Sequence, residues 1–104
     1  MIHVVAVITA KAGQRAAMLE LFAANRPAVL AESGCIEYVA TIDAAGMPPS
    51  KGSFGADTFV VVEKWESMDA LKAHAKAPHM AAYGAKVKDI TANRAIHVTE
   101  PVPG

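Results

Sequence analysis

Glu63, Trp65 and His74 are the residues of this chain whose types and spacing could do chemistry. Glu63 and Trp65 stand two positions apart in a β-branched and aromatic run, so on a strand they point to the same face. Phe59 and Val61 precede them on that face, which makes Glu63 a carboxylate in an apolar wall. It therefore needs a polar partner, because an unpaired buried charge is costly.

His74 is the partner that the spacing predicts for Glu63. A helix that starts at Ser67 would fold back over the strand that ends near Glu66. The strand from Glu66 back to Glu63 covers roughly 10 Å, and the helix from Ser67 to His74 covers about the same. We therefore expect Glu63 and His74 to lie at one level between sheet and helix. Such a pair suits proton transfer, because histidine titrates near neutral pH and a carboxylate can orient the ring and stabilise its cation.

The elements that must position these residues follow from the hydrophobic periodicity. Strands are predicted at residues 2–10, 35–42, 57–66 and 94–99, and helices from Gly13 to Glu32, from Ser67 onward and from Pro78 to about Asp89. Pro27 is expected to kink the first helix or split it in two. The order β-α-β-β-α-β predicts an α+β, ferredoxin-like sandwich whose helices cover one face of the sheet.

The other face of this sheet is also predicted to be apolar. Val60 and Val62 have the opposite parity to Phe59 and Val61, and they too need cover. A second copy of the sheet is the simplest cover, because a monomer would expose a large apolar patch. A hydrophobic content of 53% in so short a chain supports the same expectation of a homodimer.

The 104 residues predict a single domain, with an irregular tail at 100–104. Its long loop at residues 43–56 is rich in Gly, Pro and Ser and is far longer than a tight hairpin turn. Two interpretations stay open. The loop is either a lid or an arm that reaches a second subunit, with Met47 and Phe54 as its apolar tips, or a surface insertion without a function.

Charge and composition exclude several classes of function. Lys plus Arg and Asp plus Glu both number 10, and without a basic run we expect no nucleic-acid partner. No apolar stretch approaches the length of a membrane span, and the first residues do not resemble a signal peptide. The single cysteine, Cys35, fits a reducing compartment, so we expect a cytoplasmic protein in which Cys35 is a small buried residue rather than a nucleophile.

A metal site is not expected. His3 and His97 belong to the first and last strands, which are neighbours in this topology, and they could form a cross-strand pair at the end of the sheet. Only Glu100 is near enough in the sequence to act as a third ligand.

Two motifs resemble the antibiotic biosynthesis monooxygenase family, and the resemblance covers residues 2 to about 98. The first is Glu32-Ser33-Gly34-Cys35-Ile36-Glu37-Tyr38, which matches the family's E-P-G-C-x-x-Y except that Ser33 replaces the proline. The second is Glu63-x-Trp65, followed by Ala70-Leu71-x-x-His74 and Pro78-His79-Met80.

The resemblance implies a dimeric α/β barrel in which each subunit keeps a cavity between its own sheet and helices. It also implies oxidation of a small quinol or a phenolic, polyketide-like aromatic substrate by O2, without a metal or flavin cofactor. On this interpretation His74 is the catalytic base or a hydrogen-bond partner of the substrate, Glu63 orients it and Trp65 forms a pocket wall. The alternative is that Glu63 and His74 pair for structure alone. The expected substrate contacts are Tyr38, Phe59, Val61, His79, Met80 and Tyr83. Haem degradation is not expected, because the first strand lacks the Asn that haem-degrading relatives use.

Two other functions remain open. The same acid-base pair could isomerise or degrade a small hydroxyketone signal, as some relatives do. A phosphorylated substrate of that kind would need basic pocket residues, and Lys64 and Lys72 lie at positions predicted to face solvent. The third possibility is a dimer that binds a ligand without catalysis.

Overall fold

The computed structural model describes residues 1–46 and 52–104, and eight elements lie within these two ranges. In chain order they are β1 (Ile2–Ala10), α1 (Arg15–Leu30), β2 (Cys35–Thr41), β3 (Thr58–Trp65), α2 (Met68–Ala75), α3 (Pro78–Val87), a 3-10 turn (Lys88–Ile90) and β4 (Thr91–Thr99). The strands form one antiparallel sheet in the order β2-β3-β1-β4. This confirms the predicted α+β, ferredoxin-like fold, although β4 begins three residues earlier than expected.

Of the two outcomes expected at Pro27, a split of the first helix is wrong, because α1 runs without a break from Arg15 to Leu30, and a kink stays a prediction. Pro27 lies close to the end of the helix, so its missing N–H removes a single backbone hydrogen bond near the last turn. The carbonyl of Pro27 still accepts from the N–H of Ala31 at 3.1 Å. Val29 is fully buried in the core, and this packing holds the last turn in place.

The register of the strands divides the sheet into two faces. Val4 of β1 lies opposite Glu63 of β3, and the helices cover the face on which both residues are buried. Trp65, Phe59 and Met18 are among the largest fully buried side chains of this core. The carboxylate of Glu63 is therefore placed under the helices by strand parity alone.

The helices α2 and α3 begin where the sequence predicts. The Ser67 hydroxyl accepts a hydrogen bond from the N–H of Ala70 at 3.1 Å and caps α2. Pro78 occupies the first turn of α3, where its missing N–H costs nothing.

The turn between α1 and β2 approaches α2 closely at Gly34. This glycine has a φ of +84°, and a Cβ placed on it would lie 2.7 Å from the Cβ of Ala70. Its carbonyl accepts from the N–H of Glu66 at 2.8 Å. Only glycine combines this backbone conformation with so close a contact, and the contact holds the residues just before Gly34 against α2.

The ends of the 43–56 loop are fixed by hydrogen bonds. The carboxylate of Asp43 accepts from the N–H groups of Phe54 at 3.1 Å and Gly55 at 2.9 Å, and these bonds lower its pKa. Phe54 is exposed. Met47 lies outside the described residues, so the lid or arm stays a prediction. Across the two described ranges, no helix combines the length and apolarity that a membrane span needs.

Candidate active site

A cavity of about 520 Å³ lies between the sheet and the helices. Apolar side chains from β1, β3, α1 and α3 form most of its wall, including Phe22, Phe59 and Val61. Glu63 and His74 are among the ionisable residues in the wall. The size is within the range of small-molecule sites, and the mostly apolar wall with a few polar groups is typical of them.

His74 is buried on α2 and is held by a carboxylate other than the predicted one. Its Nδ1 lies 2.8 Å from Oε2 of Glu32, in the turn that follows α1. Glu63 was predicted to orient His74, and the structure corrects this: the two residues line one cavity, but the hydrogen bond goes to Glu32. A carboxylate oxygen can only accept, so Nδ1 carries the proton and Nε2 is left for a ligand.

Glu63 makes its hydrogen bond within its own strand. Its Oε1 accepts from Nε1 of Trp65 at 2.9 Å. Burial raises the pKa of Glu63, while the Trp65 hydrogen bond and nearby His74 lower it by smaller amounts. The carboxyl group is thus a proton acceptor of increased basicity in the wall of the cavity.

Aromatic rings fix the imidazole from two sides. The ring centroid of Trp65 lies 4.6 Å from that of His74, and the Tyr38 ring meets the imidazole edge-on at 5.6 Å. Tyr38 stacks in turn on Phe22 at 5.1 Å. Trp65 was expected to form a pocket wall, but it is fully buried and is not among the residues that line the cavity. Trp65 instead packs against the His74 ring and donates a hydrogen bond to Glu63.

Five of the six expected substrate contacts line the cavity: Tyr38, Phe59, Val61, Met80 and Tyr83. Burial is the main cause that raises the pKa of both tyrosines, which are therefore neutral hydroxyl groups near neutral pH. His79 was expected among these contacts, but it is not a lining residue. It contacts Glu32 and Asn25 instead.

Three residues at the site had no role predicted from the sequence. Glu32 belongs to one of the two motifs, and the spacing of that motif says nothing about contact with α2. Glu32 is not a lining residue of the cavity, whereas Lys88 and Arg94 are. Arg94 lies opposite Ile8 and Glu63 lies opposite Val4, so the register separates them by four residues along the strands, roughly 13 Å. The cations and the acid-base groups therefore occupy different ends of the cavity.

Neither Cys35 nor the histidines on the sheet form a second site. Burial and the nearby carboxylates of Glu32 and Glu63 raise the pKa of Cys35, which is the opposite of what a thiolate nucleophile requires. His3 lies opposite Thr99 rather than His97. In the part of the chain that the structure describes, no three His, Cys, Asp or Glu side chains are placed to share a metal ion.

Comparison with known proteins identifies relatives of this arrangement. Residues 1–86 match the family model described as antibiotic biosynthesis monooxygenase. The chain is 40% identical to Escherichia coli YgiN, named a probable quinol monooxygenase, over 97% of this chain and 98% of that protein. Among solved structures, Rv0793 from Mycobacterium tuberculosis has a TM-score of 0.79 at 26% identity, covering 99% of this chain and 96% of the other. PA3566 from Pseudomonas aeruginosa shares the fold with a TM-score of 0.81 at 22% identity, covering 98% and 94%.

Proposed function

Because the chain belongs to the antibiotic biosynthesis monooxygenase family, we propose that it oxidises a small quinol or phenolic aromatic compound with O2 and without a bound cofactor. For a hydroquinone the balanced reaction gives a hydroxyquinone and water. One oxygen atom enters the ring and the other leaves with the two hydrogens that the quinol loses. The 40% identity to YgiN, itself named a probable quinol monooxygenase, supports this class of substrate.

The observation that carries the proposal is the Glu32–His74 hydrogen bond beside an apolar cavity. With Nδ1 bound to Glu32 at 2.8 Å, Nε2 is the basic nitrogen of the ring. We assign to it the removal of a phenolic proton. The resulting anion is a better one-electron donor to O2 than the neutral quinol, and an apolar wall shields the radical pair from water.

Glu63 and the tyrosines supply the remaining polar contacts in this scheme. The carboxyl group of Glu63 faces the same cavity, and its raised pKa suits it to hold a proton during turnover. Tyr38 and Tyr83 offer hydroxyl groups for the second oxygen of a quinol. Phe59, Val61 and Met80 pack against its ring.

Oxygen consumption tests the proposal directly. Metal-stripped protein is mixed with a panel of reduced quinones, and O2 uptake, H2O2 release and ¹⁸O incorporation from ¹⁸O2 are measured. We expect uptake with one ¹⁸O atom in the product, and a loss in kcat of about 10²–10⁴-fold in His74→Ala. The matched control is Lys76→Ala, an exposed residue at the end of the same helix, which should retain full activity.

Three results would contradict parts of this scheme. No uptake with any quinol would favour a dimer that binds a ligand without catalysis. Unchanged turnover in His74→Ala would show that His74 is not the catalytic base. Stoichiometric H2O2 without label in the product would make the protein an oxidase rather than an oxygenase.

We also propose that two copies pair through the open face of the sheet. Val39, Val62 and Val5 lie side by side across three strands on this face, and Val60 and Val7 form the next row. Val5 and Val39 remain 37% and 36% exposed. Such a patch favours association with a second sheet. Sedimentation at micromolar concentration should show a dimer, and Val39→Glu should shift it toward monomer; a monomeric unmodified protein would contradict the pairing.

A second candidate function gains support from Lys88 and Arg94. A phosphorylated hydroxyketone was disfavoured because no basic residue was predicted to face the cavity, and these two line it. Binding of a phosphorylated hydroxyketone, measured by calorimetry and weakened in Arg94→Gln, would favour this candidate if the same protein showed no quinol-dependent O2 uptake.

A further inference from the structure

A second histidine contacts the carboxylate that holds His74. Nε2 of His79 lies 3.2 Å from Oε2 of Glu32, the same oxygen that Nδ1 of His74 approaches at 2.8 Å. The three side chains come from separate places: the turn after α1, α2 and the first turn of α3. Folding has therefore placed two imidazoles around one oxygen atom.

The hydrogen bonds around His79 determine where its proton lies. Nδ2 of Asn25 donates to Sδ of Met80 at 3.3 Å, so its Oδ1 is the acceptor for Nδ1 of His79 at 3.2 Å. Nδ1 then carries hydrogen, and in the neutral ring Nε2 would turn its lone pair toward the lone pairs of Glu32. Nε2 is buried, within ion-pair distance of that carboxylate but not in hydrogen-bond geometry, and has no other partner among the described residues.

One additional proton removes this repulsion. It can sit on Nε2 of His79, which gives an imidazolium beside a carboxylate, or on Glu32, which gives a carboxylic acid beside a basic nitrogen. Both arrangements place opposite charges or a donor and an acceptor in contact. The Glu32–His79 pair is therefore built to hold one proton between its two members.

The position of this pair connects the cavity with solvent. The His74 side chain is 8% exposed and lines the cavity, Glu32 is 15% exposed, and His79, which does not line the cavity, is 27% exposed. Glu32 and His74 are hydrogen-bonded at 2.8 Å, whereas Glu32 and His79 are 3.2 Å apart without hydrogen-bond alignment, so transfer to His79 requires its ring to rotate into line. The order from inside to outside is His74, Glu32, His79.

We propose that Glu32 and His79 form a relay that takes from His74 the proton removed from the substrate and passes it to solvent beside α3. His74 gains a proton at Nε2 and gives one from Nδ1 to Glu32, and the Glu32–His79 pair releases one to water from Nδ1 of His79, because Nε2 is buried. The oxidation as a whole releases no proton, so one returns along the same path when the second oxygen atom leaves as water, and each ring regains its starting tautomer. The net charge of the cluster is the same before and after. The relay rests on the proposed oxidation, whereas the shared proton exists in the protein without substrate.

Other ionisable groups surround this cluster. They are Cys35 and Tyr38 on β2, Glu63 on β3, Arg26 on α1 and Tyr83 on α3. Among these neighbours the charged groups are Glu63 and Arg26, which have opposite signs.

Nitrogen NMR of the imidazoles tests the shared proton without any turnover. In ¹⁵N-labelled protein free of substrate, the signals of the four histidines are assigned with single His→Gln variants. We expect hydrogen on Nδ1 of both His74 and His79, and a signal of His79 Nε2 that is changed by the proton shared with Glu32. Glu32→Gln should change the Nε2 signal of His79 and leave the signals of His3 and His97 as they are. A His79 ring with hydrogen on Nε2 but not on Nδ1, or an Nε2 signal unaffected by Glu32→Gln, would overturn the assignment.

Turnover of His79→Gln tests the relay. We expect kcat to fall at least about tenfold, with recovery when imidazole is added to the buffer, because a small base can replace a missing proton carrier. A lost structural contact would not respond to imidazole. Unchanged kcat, or a loss that imidazole does not restore, would overturn the relay. Absence of oxidation in the unmodified protein would instead contradict the proposed function, and the NMR result would still decide the shared proton.

Discussion

Gly34 is the position where a single methyl group should do the most damage to the site. Gly34→Ala forces a side chain into a left-handed conformation at φ +84°, which costs roughly 1–2 kcal/mol. The new Cβ would also meet the Cβ of Ala70 at 2.7 Å, and overpacking of this kind costs about 1–3 kcal/mol. We therefore expect the free energy of unfolding to fall by roughly 2–5 kcal/mol.

Urea denaturation with two further variants separates the two costs. Gly13→Ala is the matched control, because Gly13 has a φ of +78° but a Cβ added there would meet no atom within 4 Å. Gly13→Ala should therefore show only the cost of the left-handed backbone conformation and none from overpacking. Ala70→Gly removes the opposing methyl group at a cost of up to about 1 kcal/mol in helix propensity. In the double-mutant cycle, Gly34→Ala should be much less harmful when residue 70 is glycine.

Two results would refute this reasoning. The first is a destabilisation by Gly34→Ala no larger than that of Gly13→Ala. The second is strict additivity of Gly34→Ala and Ala70→Gly. Either would show that the turn and α2 are free to move apart, and then the approach of Glu32 to His74 would not depend on Gly34.

Two other substitutions test the electrostatics and the helix start. The folded-state pKa of Glu63 is raised above its ordinary 4.5, so its stabilising contribution is complete below pH 4.5 and is lost as pH rises through the folded pKa. Glu63→Gln keeps an acceptor for Trp65. Its free energy of unfolding, measured by urea denaturation, should rise relative to that of the unmodified protein as the pH is raised from 4 to 8. If the difference between the two proteins did not depend on pH, burial of the Glu63 charge would not be its cause. Ser67→Ala should cost about 1 kcal/mol through the lost cap of α2. Ser33→Ala, at an exposed position, should change stability by less than about 0.5 kcal/mol, and equal losses would argue against capping.

The candidate site could be predicted only in part. Strand parity put Glu63 and Trp65 under the helices, and their hydrogen bond at 2.9 Å lies within that one strand. The rise per residue along strand and helix placed His74 in the same layer, and both Glu63 and His74 line the cavity. Such distances measure position along the strand but not across the sheet. They could not distinguish a carboxylate on β3 from one in the turn before β2.

The sequence by itself determined the order of the elements, the cap at Ser67, the helix start at Pro78 and the face of each strand residue. These properties depend on neighbours within a few positions, through backbone geometry and the periods of helix and strand. Tertiary structure alone decided that Glu32 holds His74 and that Arg94 joins the cavity. Glu32 reaches α2 because Gly34 lets two backbones approach, and Arg94 reaches the cavity because β4 pairs with β1. Such contacts join residues tens of positions apart, and no local period encodes them.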